Sequence, residues 1–300
     1  MPFSLNIHQN HPAPKKPLHK RFPVLIPLIV FLLLIGGYSV LNRSVAPPLI
    51  GVISIDGIIL ESETIIKKIR ELEESEQVKG IILRINSPGG AVAPSQEIFS
   101  ELLRVRSSKK VYASISSMAA SGGYYIAISA HKIYANPGSL TGSIGVIMQT
   151  FNVEKLMNRL GISVETIKSG ENKDIGSAFR SMKATERKLL ESVIEDTHRQ
   201  FVTAVQENRA IDPKRIVSLA DGRVFTGKQA LQHGLIDGLA SFRETVEEMK
   251  TALGITDPVQ LYYPLDKKDA ILSMFDLESL FPIRKTFTYS GLFFLGSYFK

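Results

Sequence analysis

Between Gly51 and Lys168 the chain alternates β-branched apolar runs with amphipathic stretches, and this alternation limits the fold more than any other feature. The runs are GVISIDGII (51–59), GIILRI (80–85), VYASIS (111–116), KIYA (132–135), SIGVI (143–147) and ISVETIK (162–168). The intervening ETIIKKIRELEES, SQEIFSELLRVRS and NVEKLMNRLG space their apolar residues at helical intervals. Alternating strands and helices predict a layered α/β domain with a largely parallel sheet. In such sheets ligands gather where strands end and helices begin.

Farther on, Thr185 to Arg209 places Leu189, Leu190, Val193, Ile194, Phe201, Val202 and Val205 on one face, which predicts a core-facing helix. In TGKQALQHGLID, Thr226 and Gln229 have capping-box spacing and Gly234 suits a C-terminal cap, so a second, short helix is expected. About 200 residues, from 50 to 253, suffice for one sizeable core. The extension over 254–300 ends in TFTYSGLFFLGSYFK, aromatic but too short for a membrane span. Packing on a neighbouring protomer is the expectation for it.

The N-terminal region reads differently. Phe22 to Leu41 is uncharged, apolar and long enough to cross a bilayer as a helix. Ser44-Val45-Ala46 resembles a small-residue cleavage site, but it lies beyond a span already at full length, so an anchor is expected rather than a cleaved signal. Lys15, Lys16, Lys20 and Arg21 precede the span and only Arg43 follows it. By the positive-inside rule residues 1–21 form a cytoplasmic tail, 22–41 a transmembrane anchor and 42–49 a linker to an extracytoplasmic domain. Those five cations, with no acidic residue before position 50, carry most of the formal net charge of +7. The remaining +2 gives no basic field suited to nucleic acid. The chain has no cysteine, which excludes disulfides, thiolate metal sites and a cysteine nucleophile.

Two glycine pairs follow predicted strands, in Asn86-Ser87-Pro88-Gly89-Gly90 and in Ser121-Gly122-Gly123. Each exposes backbone amides of the kind an acyl-transfer enzyme aims at the oxyanion of its tetrahedral intermediate. Each is equally compatible with a simple turn. In SMAASGGYY, Ser121 is either a turn residue or a nucleophile, and a serine nucleophile needs a base. No histidine stands in a convincing motif. His8, His11 and His19 lie in the cytoplasmic tail, His131 suits a helix end, and His198 and His233 fall on polar helical positions expected to be solvated. The other base is a lysine kept neutral by burial. Lys168 and Lys173 flank the loop IKSGENKDIGS, and spacing alone does not choose between them.

SPGG, SMAASGGYYIA, LTGSIGVI, IKSGENKDI and DGRVFTGKQALQHGLID, in this order over roughly residues 50 to 250, resemble the short, single-unit form of bacterial signal peptide peptidase A, a family of Ser-Lys peptidases. The resemblance implies a ClpP/crotonase-like spiral of β-β-α units. It implies Ser121 as nucleophile, Lys173 as general base with Lys168 left solvated, Ser143 orienting the lysine, and the Gly90 amide in the oxyanion hole. Gly122 is added on geometric grounds. No metal or cofactor is implied. Substrates would be signal-peptide remnants, and a homo-oligomer at the bacterial inner membrane would complete the assembly. The alternatives are a non-proteolytic crotonase-like enzyme acting on an acyl-CoA thioester, and a membrane scaffold with a vestigial site. The predicted anchor and the pairing of Ser121 with Lys173 argue against the first, and the presence of both proposed catalytic residues favours an intact enzyme over the second.

Overall fold

The computed structural model describes residues 27–34, 47–265 and 293–295. Residues 1–46 and 47–300 form separate compact units. In the first, residues 27–34 are helical with exposed apolar side chains. No helix among the described residues is long and apolar enough to cross a membrane. The tail of residues 1–21 and most of the span expected over 22–41 lie outside the described residues, as do His8, His11 and His19.

In the second unit, β1 (Leu49–Ile59), α1 (Glu63–Glu74), β2 (Val78–Ala91), α2 (Val92–Val105), β3 (Lys110–Ala120) and α3 (Gly122–Ala127) follow one another. Then come β4 (Lys132–Ala135), β5 (Leu140–Gly142), α4 (Glu154–Arg159), α5 (Ala184–Asn208) and α6 (Pro213–Leu219). The chain continues through β6 (Val224–Thr226), α7 (Gly227–Gln232), β7 (Gly238–Leu239), α8 (Phe242–Leu253) and β8 (Gln260–Tyr262), and β9 (Phe293–Leu295) lies near the C-terminus.

The central strands are parallel, as the alternation of strands and helices predicts, and the sheet runs β6-β5-β3-β2-β1-β8. Because strand side chains alternate, Ile81, Leu83 and Ile85 of β2 enter one core with α1, α2, α3 and the end of α5. Ile82 faces the other way and packs with Val246 and Met249 of α8. Burial of each such side chain contributes about 1.5–3 kcal/mol. The outer edge of β3 is divided: β4 pairs with Tyr112 to Ile115, and β5 with Met118 to Ala120. The sheet extends past residue 253, since β8 pairs with β1.

Capping follows the sequence. Thr226 and Gln229 form the expected capping box on α7, and Ser241 with Glu244 forms another on α8. Gly234 takes a φ of +77°, the left-handed conformation that only glycine adopts without strain.

Three expectations are corrected. The strand expected at 143–147 lies just upstream, at 140–142, because positive φ at Gly142 and Ser143 ends the extended run there. ISVETIK, expected as a strand, is irregular and leaves Ile162, Val164 and Ile167 exposed. A strand needs a neighbour to satisfy its backbone, and no described strand pairs with this run. The apolar face of α5 is buried only in its second half, at Phe201 and Val205, while Leu189 and Val193 are exposed.

Candidate active site

The ends of β2 and β3 meet at the head of α3. SPGG does not turn. Its residues continue β2, with Gly89 and Gly90 paired to Ile58 and Ile59 of β1. Ser87, buried and not singled out from sequence, fixes this segment by donating from Oγ to the Gly57 carbonyl at 2.6 Å and accepting from the Gly89 amide at 3.1 Å. Gly90 admits no side chain, since a Cβ there would sit 2.0 Å from the Ile59 carbonyl oxygen.

Ser121 occupies the turn from β3 into α3 with φ +53° and ψ −117°. A non-glycine residue in such a conformation costs about 1–3 kcal/mol and persists only where its surroundings hold it. Two backbone bonds do so: the Ser121 amide donates to the Gly142 carbonyl, and the Tyr125 amide donates to the Ser121 carbonyl, both at 2.8 Å. The side chain is fully buried and its Oγ has no hydrogen-bond partner. A buried hydroxyl without a partner is expensive unless the site needs it free for another group.

Ser143 is the only other described non-glycine residue with positive φ, at +51°. It is nearly buried, and its amide donates to the Arg223 carbonyl at 2.8 Å. Since Ala120 pairs with Gly142, the ladder between β3 and β5 places Ser121 and Ser143 at the same end of the sheet. Gly122 lies against the glycine pair of β2: a Cβ added to it would be 3.2 Å from the Gly90 nitrogen and 2.7 Å from Ser95 Oγ. Four of the five sequence-chosen residues thus converge. Gly122, next to Ser121 in the chain, lies against Gly90.

Lys173 does not join them within this chain. It is exposed in a turn at 171–176, and the unpartnered state of Ser121 Oγ means that its Nζ does not reach the hydroxyl. Lys168, expected to be solvated, is instead tied down, donating to Asp174 at 2.5 Å and to the Glu171 carbonyl at 2.8 Å. Arg180 bridges Asp174 to the fully buried Glu186. Both carboxyls are held well below their usual range, first by Arg180 and then by Lys168 for Asp174 and the Lys183 amide for Glu186. This network braces the loop that presents Lys173.

His131 Nδ1 accepts from the Val111 amide at 3.1 Å, and burial, with Arg106 nearby, lowers its pKa. His233 stacks edge-on against Phe225. His198, expected to be solvated, has its Nε2 buried without a partner. Beside the glycine strand, a cleft of about 590 Å³ runs along the end of β1 and the start of α1, lined by Ile58, Ile59, Leu60 and Ile65 with Asp56 and Thr64.

Residues 104–256 match peptidase family S49, and residues 56–144 match the Clp protease family. A Synechocystis protein named as a putative protease is 40% identical over 66% of this chain and 72% of its own length. An Enterococcus faecium protein named as a putative signal peptide peptidase SppA is 33% identical over 68% of this chain and 60% of its own. Protease 4 of Salmonella typhi is 35% identical over 66% of this chain but only 33% of its own length. The chain therefore spans from about a third to almost three quarters of these relatives. On these matches the chain belongs to peptidase family S49 as an SppA-like member.

Proposed function

We propose that the protein is a serine endopeptidase acting on apolar peptides such as signal-peptide remnants, with Ser121 as nucleophile and Lys173 as general base. The observation that carries this reading is Ser121 itself, held at positive φ with a buried, unpartnered Oγ, directly before Gly122, which lies against Gly90. Lys173 takes the Ser121 proton as Oγ attacks the scissile carbonyl, and the oxyanion forms against the two amides. Lysine passes the proton to the leaving amine. A water then attacks the acyl-enzyme in the same way, and Ser121 is regenerated.

Lys173 acts from a neighbouring copy of the chain. The segment that carries it exposes Phe151, Ile162, Val164 and Ile167, an apolar surface suited to burial against a second subunit. Docking would remove water from the lysine and favour its neutral form. Ser143, at the same end of the sheet as Ser121, orients the arriving amine. Residues 22–41 anchor the enzyme, with residues 1–21 cytoplasmic and the catalytic domain on the far side of the membrane.

The test is cleavage of a fluorogenic apolar peptide by Ser121→Ala and Lys173→Ala, alone and co-expressed. Each alone should be inactive and the mixed assembly should regain activity, since some sites would combine an intact serine with an intact lysine. Undiminished cleavage by Ser121→Ala would overturn the mechanism. Inactive single variants without recovery in mixed assemblies would place the base in the same chain.

A further inference from the structure

The two lysines of the loop IKSGENKDIGS differ in what holds them. Among the described residues nothing forms a hydrogen bond or ion pair with Lys173 Nζ, whereas Lys168 is bound at two points. The carboxylates nearby account for the difference. Asp174 directly follows Lys173 in the turn at 171–176, and its side chain is only 12% exposed. Its Oδ1 accepts from Lys168 Nζ at 2.5 Å and its Oδ2 from Arg180 Nε at 2.7 Å. Glu171 faces Lys183 Nζ at 3.3 Å, and Glu186, in the first turn of α5, accepts from Arg180 and from the Lys183 amide. Glu154, at the start of α4, accepts from Ser181 Oγ at 2.8 Å. The carboxylates of Glu154, Glu171, Asp174 and Glu186 are each engaged by a group other than Lys173.

Asp174 bears most directly on Lys173, because the two adjoin in sequence. A carboxylate within hydrogen-bond reach of an amine favours the ammonium and opposes its use as a base. Lys168 fills Oδ1 of Asp174 and also donates to the Glu171 carbonyl at 2.8 Å, so one ammonium both closes the turn and engages its carboxylate. Arg180 cannot replace it at Oδ1, since its terminal nitrogens are committed to the two oxygens of the buried Glu186. A second cation in the loop also adds like charge, which acts against the Lys173 ammonium in the same sense.

We propose that Lys168 is a positioning residue: it occupies Asp174 Oδ1 and keeps that carboxylate from pairing with Lys173, which leaves the Lys173 amine free to act as base. The inference rests on the peptidase reading above and deepens it, since it gives the second lysine of the loop a task in the same reaction. Without Lys168, Asp174 pairs with Lys173 and holds it protonated. An opposite charge at that range raises the pKa of an amine by about one unit, so the neutral fraction below the transition falls about tenfold. Activity that needs a neutral lysine rises as the pH passes through its pKa, and the acid limb of the profile therefore moves to higher pH.

The experiment uses full-length protein in detergent, unaltered or carrying Lys168→Met, Lys168→Met with Asp174→Asn, or Lys168→Arg. The acid limb of kcat/KM for a fluorogenic apolar peptide should lie about one pH unit higher in Lys168→Met and return to its original place in the double variant. It should stay there in Lys168→Arg, which keeps a donor for Asp174. Independently of turnover, in a Ser121→Ala background, trace acetylation of Lys173 by acetic anhydride across pH, read by peptide mass spectrometry, should show the same pattern in the titration of the amine. A Lys168→Met form whose limb and labelling curve are unmoved, or whose changes persist when Asp174→Asn is added, would overturn the proposal and leave Lys168 a brace of the loop. If no form cleaves but the labelling shift appears in Lys168→Met and vanishes in the double variant, the peptidase reading fails and the role of Lys168 toward Lys173 stands.

Discussion

Gly122→Ala tests the oxyanion geometry most directly. The new methyl would meet Ser95 Oγ at 2.7 Å, the Gly90 nitrogen at 3.2 Å and the Gly89 Cα at 3.3 Å. The first contact is the worst and also the softest. Ser95 can rotate away, losing the hydroxyl bond it donates to the Ala91 carbonyl at 2.9 Å, a loss of about 0.5–1.5 kcal/mol. The other two contacts are backbone and can relax only if the glycine strand shifts away from Ser121. Overpacking of this kind costs about 1–3 kcal/mol. At roughly 2–4 °C per kcal/mol for a domain of this size, Tm should fall by about 2–12 °C. The effect on rate is larger in proportion, because displacing one oxyanion donor typically costs about 10²- to 10³-fold in kcat. The assay is steady-state cleavage of a fluorogenic apolar peptide beside thermal unfolding of the same preparation. Combining Gly122→Ala with Ser95→Ala separates the causes: Tm should recover in part while kcat stays low. Wild-type kcat in Gly122→Ala, or full recovery of kcat in the double variant, would refute the placement of the Gly90 amide in the oxyanion hole.

Ser121→Gly should unfold at a higher temperature than Ser121→Ala, by a margin of about 1 kcal/mol, because glycine relieves the strain at φ +53°; both should be inactive, and calorimetry compares them. Tyr124→Phe should cost about 1–3 kcal/mol in denaturant unfolding, since the buried Tyr124 hydroxyl donates to the Leu235 carbonyl at 2.8 Å and its loss leaves that oxygen unpaired. Glu186 is held at about 2 against an ordinary 4.5, chiefly by Arg180. A depressed carboxylate adds stability that is complete above pH 4.5 and is lost as the pH falls toward 2. Arg180→Ala should therefore lower Tm at neutral pH and flatten its fall between pH 4.5 and 2, as thermal scans across that range would reveal.

The sequence made the strained Ser121 legible and left the choice between Lys168 and Lys173 open, for a physical reason. Ser121 is constrained locally: small residues lead into it, glycines follow, and the strand before it is β-branched. The strands of residues 51–59, 80–85, 111–116 and 132–135 were legible in the same way, because each is a short apolar run packed inside the sheet. ISVETIK carries the same pattern and is not a strand, since β-branched residues supply only propensity and a strand also needs an open edge beside it. The face of α5 misled similarly, because period alone cannot tell the chain's own core from a surface left for another partner. Ser87 gave no signal, as its work is done through two backbone bonds formed only when β1 and β2 pair.

Lys173 belongs with these unread features. Neutralising a lysine is a matter of burial, and burial is a property of the assembled surface, not of the residues on either side in sequence. The same division explains how the site is held. Ser121 keeps its strained conformation because its amide is bound to the Gly142 carbonyl, and Gly142 sits there because β5 pairs with the last residues of β3. The adjoining Ser143 is strained by the same junction and is anchored to the Arg223 carbonyl beside β6. The end of β3, the short β5 and the segment entering β6 thus fix Ser121 and its serine neighbour. In the mechanism proposed above, a partner contributes one amine and the exclusion of water.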